Sequence, residues 1–186
     1  TIQNYLADQI TVPRFSTELP EFAEAEKAVQ ARIDHLMGIK GKKSVDSIHK
    51  ELGHIMWECV GMGRTEEGLK TALKLLKDIR KEFETNLFIP GSTEGVNIEL
   101  EKALRLNDFI TMGELIAYDA LNRNESCGGH FREEYQTEEG EAKRDDENYF
   151  YVSCWEYQGS DDVAPVLYKE PLVYEAIKVQ TRNYKS

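Results

Sequence analysis

The sequence predicts a mainly α protein, an antiparallel helical bundle followed by a small β-containing C-terminal tail. Three observations predict it. Apolar residues recur at three- and four-residue steps between residue 20 and about residue 122. Short polar loops carrying glycine or proline separate those stretches, as antiparallel packing of neighbouring helices requires. After Arg123 the helical period stops, and glycine, aromatic and acidic residues take over.

Residues 1–19 show weak periodicity and contain Pro13, which predicts an extended lead-in. From residue 20, Phe22, Ala25, Val29, Ile33 and Leu36 place one apolar stripe on a helix that ends at Gly38 and the GIKGKK stretch. Ser44 is the expected N-cap of the next helix, whose stripe is Val45, Ile48, Leu52, Ile55 and Cys59. Gly53 lies inside that helix at a cost relative to alanine, which predicts close approach by a neighbouring backbone. Gly61-Met62-Gly63 breaks the helix. Thr65 caps the third, with Glu66 and Glu67 favourably placed in its first turn and Leu69, Leu73, Leu76, Ile79 and Phe83 as its stripe. Pro90, Gly91 and Gly95 form a loop. Asn97 opens the longest helical pattern, carrying Leu100, Leu104, Phe109, Ile110, Leu115 and Leu121. Ala103, Gly113, Ala117 and Ala120 add a small-residue flank suited to tight helix contacts. The boundary between bundle (20–124) and tail (125–186) falls near residue 124. In the tail, YFYVSCWEY (149–157) is dense in β-formers and is expected to pair with VLYKEPLVYEAIKV across QGSDD. Pro165 and Pro171 make the second segment an edge strand.

Composition narrows the function classes. A formal net charge of -11 repels a phosphate backbone, so nucleic-acid binding is disfavoured. No apolar run is long enough to cross a bilayer, and the first residues lack the marks of a signal peptide. Three scattered cysteines, Cys59, Cys127 and Cys154, read as free thiols in a reducing compartment. No dinucleotide fingerprint, phosphate-binding loop or iron–sulfur cysteine motif occurs.

Two clusters carry the chemically capable groups. Residues 125–135, ESCGGHFREEY, hold Glu125, Ser126, Cys127, His130 and Arg132 around the paired Gly128 and Gly129. A nucleophilic Cys127 activated by His130 is one reading. The favoured one is a structural turn leaving the long helix, with Arg123, Arg132 or His130 supplying donors for its last carbonyls. A zinc site from Cys127, His130 and Cys154 lacks the short paired ligand spacing that structural zinc needs. The second cluster, RDDENY at 144–149, reads as a solvated charged turn without the alternating ligand spacing of a cation loop. His35, His49 and His54 read as surface or partly buried, and Met56 and Trp57 as core or interface. Spacing and chemistry alone therefore describe a helical domain with a structured tail and no self-contained active site.

The two clusters together resemble a family. A long helix, then Glu125-Ser126-Cys127-Gly128-Gly129-His130-Phe131-Arg132, then Arg144-Asp145-Asp146-Glu147-Asn148 is similar to the ESRGAH-x-R and RDD-x-N signature of succinate dehydrogenase and fumarate reductase flavoprotein subunits. MWECVGMGRTEEGLKTAL (56–73) is similar to the family's M…GI-x-R-x-x-x-x-L segment, so the resemblance runs from about residue 20 to 150. Cys127 stands where the family has Arg and Gly129 where it has Ala, so no contact of that Arg carries over. Cys127 is read either as a small residue tolerated in a tight turn or as a redox-sensitive thiol.

The resemblance implies a spectrin-repeat-like three-helix bundle with a small β tail, packed against an FAD-binding domain and close to an iron–sulfur subunit. It implies a parent subunit whose FAD exchanges a hydride with succinate or fumarate. Electrons would pass through iron–sulfur clusters to a membrane cytochrome b or quinone subunit, on the inner face of the cytoplasmic membrane. The FAD and substrate motifs belong to the N-terminal and capping domains. No catalytic, cofactor-binding or metal-binding residue is therefore expected in this chain, and Glu125, Ser126, Cys127, Gly128, Gly129, His130, Arg132, Arg144, Asp145, Asp146 and Asn148 are expected to be structural or interface residues. L-aspartate oxidase and adenylylsulfate reductase share the broader architecture, and a stand-alone helical interaction module is the alternative from another class.

Overall fold

The computed structural model describes residues 2–10, 16–160 and 163–180. Its elements run α1 (Ile2–Gln9), α2 (Pro20–Gly38), β1 (Lys43–Ser44), α3 (Val45–Val60), α4 (Glu66–Asn86), β2 (Leu87–Phe88), α5 (Ile98–Asn122), α6 (Asp146–Tyr149), β3 (Tyr151–Glu156) and β4 (Val166–Pro171). The bundle is α3, α4 and α5, with α4 packed against both of its neighbours and α3 also against α5. Among the described residues no helix is long and apolar enough to cross a membrane.

Local chemistry sets the helix starts. The side chains of Ser44, Thr65 and Asn97 accept hydrogen bonds from the backbone N–H groups of Ser47, Gly68 and Leu100, closing the orphan donors of α3, α4 and α5. The core joins Val45, Ile48 and Leu52 of α3, Leu69, Leu76, Ile79 and Phe83 of α4, and Leu106 and Ile110 of α5. Ala103, Gly113, Ala117 and Ala120 are all buried, so the small-residue flank lets α5 lie close to its neighbours. A Cβ on Gly113 would stand 3.2 Å from Met56 Sδ.

Four expectations need correction. Residues 2–9 are not extended: they form α1, which has no buried residue, while Pro13 lies outside the described residues. The α2 stripe is not a core stripe. Only Leu36 is buried and Phe22 and Val29 are exposed, because α2 touches the bundle near its C-terminal end, where Arg32 reaches the Leu104 carbonyl and Asp108. Phe109 lies at the surface, and Leu106 takes the core position instead. Among the described residues nothing approaches Gly53, whose Cβ would meet no atom within 4 Å.

The connection before α3 is pinned to the one after α4. Gly41 N–H donates to the Leu87 carbonyl at 2.8 Å, Lys42 N–H to the Asn86 carbonyl at 2.9 Å, and β1 pairs in parallel with β2. A side chain at Gly41 would collide with the Asn86 backbone. In the tail, β3 and β4 form the antiparallel hairpin that the β-formers predict, with Tyr151 opposite Pro171 and Glu156 opposite Val166. Trp155 fastens it to α5: its indole N–H donates to Asp119 at 2.7 Å, and its ring meets Tyr118 edge-on at 5.0 Å.

Candidate functional site

Residues 123–135 bring together the C-terminal ends of α3 and α5 and the N-terminal end of α4. Cys127 and His130 exchange both backbone hydrogen bonds, at 2.8 and 3.0 Å, so CGGH is a closed turn with Gly128 at φ +58°. Ser126, fully buried, locks the turn's base: its hydroxyl accepts from Arg132 N–H at 2.8 Å and donates to the Arg132 carbonyl at 3.1 Å. Phe131 and Glu133 hydrogen-bond the backbone of Arg64, which ties the turn to the α3–α4 connection.

Arg132 is 1% exposed. Its Nη1 donates to the Ala120 carbonyl at 3.0 Å and the Leu121 carbonyl at 3.4 Å, closing the end of α5, while Nε donates to Glu134 at 3.1 Å. Glu134 in turn accepts from the Glu66 N–H in the first turn of α4 at 2.6 Å. Partial burial works against the Glu134 charge, but the Glu66 N–H and Arg132 outweigh it and hold the carboxyl below its usual range. Arg64 does for α3 what Arg132 does for α5: its Nε donates to the carbonyls of Val60 and Gly61, both at 3.1 Å.

His130 joins the two ends. Its Nε2 lies 2.9 Å from the Arg123 carbonyl and its Nδ1 2.9 Å from Arg64 Nη1. A carbonyl only accepts and a guanidinium only donates, so Nε2 carries the proton and Nδ1 accepts. Burial, together with the charges of Arg64, Arg132 and Arg123, pushes the imidazole below its ordinary pKa, against the Arg123 carbonyl bond that favours protonation. With both ring nitrogens engaged, His130 has no lone pair to offer the Cys127 thiol or a metal. The two residues meet only through their backbones.

The second cluster is brought to the first. Glu125, 2% exposed, accepts from Arg123 Nη1 at 2.7 Å and from the Asp145 N–H at 2.9 Å. Asp145 caps α6 by accepting from the Asn148 N–H at 3.2 Å, and its other oxygen takes the Asn148 amide at 2.9 Å. Arg144 donates to Asp146 at 3.0 Å. Arg123 reaches the Tyr149 and Tyr151 carbonyls and sits 5.6 and 5.1 Å from their ring centres, so it holds the hairpin rather than its own helix end. Cys154 is exposed on β3, apart from this turn.

An open cleft of about 520 Å³ lies between α5, β3 and the turn, lined by Arg64, Ile116, Asp119, Cys127, Val152 and Trp155 among others. Among the described residues no group of three or more His, Cys, Asp or Glu is placed to hold a metal ion. Sequence reasoning singled out Arg132 and His130 as helix-end donors, and both act so. It assigned no role to Arg64 or Asp119. The signal for Arg64 was its place in the GMGRT break, one residue before the N-cap Thr65.

Comparison with known proteins agrees with this architecture. Residues 49–184 match the family described as fumarate reductase flavoprotein C-term. The fumarate reductase flavoprotein subunit of Proteus vulgaris is 29% identical over 77% of this chain and 24% of its own length. An uncharacterised FAD-dependent oxidoreductase of Methanocaldococcus jannaschii is 30% identical over 60% of this chain and 20% of its own length. A solved quinol fumarate reductase of E. coli superposes with a TM-score of 0.70 at 21% identity, covering 92% of this chain and 28% of that one. The chain thus spans 20% and 24% of these two relatives. It belongs to the fumarate reductase and succinate dehydrogenase flavoprotein C-terminal family.

Proposed function

We propose that this chain, as a C-terminal domain of that family, braces the FAD-binding part of a longer subunit and takes part in its contact with an iron–sulfur subunit. The full subunit interconverts succinate and fumarate on FAD and exchanges electrons with a quinone through partner subunits at the inner face of the cytoplasmic membrane. Residues 20–124 form the bundle unit and 125–186 the docking tail, with the Glu125–Arg132 and Arg144–Asn148 motifs as structural and interface elements.

One observation carries this reading: the side chains of Glu125, Ser126, His130, Arg132 and Glu134 are engaged, together with Arg64, in closing three helix ends and fastening the tail. A nucleophilic or general-base role requires a side chain with a free lone pair aimed at a reacting atom, and His130 has none. A rigid junction of this kind suits a domain that orients a neighbour.

The test compares the 186-residue chain with the longer polypeptide that carries it, in flavin content and succinate-dependent dye reduction. The expected result is flavin and turnover in the longer polypeptide and neither in the chain alone. Turnover by the chain alone, supplied with FAD, overturns the proposal.

A further inference from the structure

Arg64 lines the same cleft as Asp119, Cys127, His130 and Trp155. Its Nη1 donates to His130 Nδ1 at 2.9 Å, a bond that exists only while that nitrogen keeps its lone pair. Burial lowers the Arg64 pKa and the Asp119 carboxylate works against it, so these two charges attract across the cleft. One oxygen of Asp119 accepts the Trp155 indole N–H at 2.7 Å, the bond that fastens β3 to α5. An imidazole and a carboxylate thus compete for one guanidinium.

The surrounding charges leave Asp119 as the competitor. Arg64 of the α3–α4 connection, Arg132 of the turn and Arg123 at the end of α5 all oppose a positive charge on His130. The nearby carboxylates are held elsewhere: Glu125 by Arg123, Glu134 by Arg132, and Glu133 against Gly63. Arg144, which stands near Cys127, is paired with Asp146. Cys127 meets His130 through its backbone. From β3 the cleft receives Val152, Ser153 and Trp155, which bring no charge.

A proton on Nδ1 sets N–H against N–H and places a second positive charge beside the guanidinium. The Nε2 proton keeps the Arg123 carbonyl either way, so only the ring's bond to Arg64 is lost. The Arg64 Nε bonds to the Val60 and Gly61 carbonyls are partly exposed, and water takes their place when the side chain turns.

We propose that His130 and Asp119 form an acid-operated switch, in which protonation of His130 passes the Arg64 guanidinium to Asp119 and resets the seat of Trp155 on α5. The proton comes from solvent, and only hydrogen bonds and ion pairs change. The state with Arg64 withdrawn from the imidazole binds that proton more tightly, so falling pH favours it. The turn and the hairpin are thereby coupled through one side chain from outside the tail.

The test uses the 186-residue chain with Trp57→Phe, which leaves Trp155 as its only tryptophan. Trp57 is 79% exposed, so the exchange disturbs no core. Trp155 emission and the His130 imidazole resonances are followed together from about pH 7.5 to about pH 5. Both are expected to move with one midpoint, below the ordinary histidine value near 6.5. In His130→Gln the emission change should shrink at least about fivefold, which also sets aside His35, His49 and His54 as its source. In Arg64→Gln the imidazole should still titrate while the emission change shrinks as much. Asp119→Asn, whose amide oxygen can still accept the indole N–H, should behave like Arg64→Gln, and it serves separately should that variant not fold. An emission change that persists in His130→Gln, or in both Arg64→Gln and Asp119→Asn, overturns the proposal. So does an imidazole that titrates in the Trp57→Phe chain without any response from Trp155.

Discussion

Arg132 and Arg64 each close a helix end, and the two ends differ in how far water reaches them. Arg132 closes α5 from a site that is 1% exposed, and it holds Glu134 at the same time. Arg64 closes α3 from a half-buried site on the rim of an open cleft. The bonds are of the same kind, guanidinium N–H to the last carbonyls of a helix. What distinguishes them is the fate of the carbonyls once the arginine is gone. The bond to the Ala120 carbonyl is buried, whereas those to Val60 and Gly61 are partly exposed, so water replaces Arg64 more readily than it replaces Arg132.

The sharpest way to break this comparison is Arg132→Ala. It strands the buried Ala120 carbonyl and removes a side chain that is 1% exposed, and is expected to cost about 3 kcal/mol, or roughly 6–12 °C in Tm by thermal denaturation followed by circular dichroism. Arg132→Lys keeps the charge without the planar fork and should recover only part of that loss. Ser126→Ala comes next, at about 1.5 kcal/mol, because the Arg132 N–H and carbonyl lose their shared hydroxyl in a buried site. Arg64→Ala should cost only about 1 kcal/mol in the same measurement. If it matches Arg132→Ala, burial is not what separates the two ends.

The mildest test concerns His130, which links them. Its folded-state pKa lies below the ordinary value, so the unfolded chain takes up a proton more readily. The stability it contributes is complete above the ordinary value near 6.5. It falls as the pH drops below that value, and levels off once the folded protein is protonated too. Tm measured at descending pH should therefore fall more steeply for the parent than for His130→Gln, which cannot titrate. Parallel curves would remove His130 from the account.

Local features were legible in the sequence. Ser44, Thr65 and Asn97 each cap a helix by bonding an N–H three residues ahead, and no partner outside that turn is needed. The stripe of α4 was legible because α4 is covered on that face by both neighbours. The α2 stripe has the same periodicity, yet its Phe22 and Val29 face outward, since periodicity names a face and not what covers it. Residues 2–9 were misjudged through weak periodicity, where local propensity and burial gave no guidance. The candidate turn was legible as a set of capable groups at a helix exit, and its membership of the family followed from the same residues. The sequence did not disclose that Arg64 supplies His130 with a donor from 66 residues away.

By itself, then, the sequence determined α2 to α5, the caps of α3, α4 and α5, the hairpin and the identity of the family, all of which rest on interactions within a few residues or on a linear motif. Only the tertiary structure decided what ESCGGHFREEY does. On chemistry alone its imidazole and guanidinium suit catalysis and architecture equally well. The choice is made by carbonyls of α3 and α5 that the fold carries to within hydrogen-bonding distance, engaging the same nitrogens that a reaction would need free.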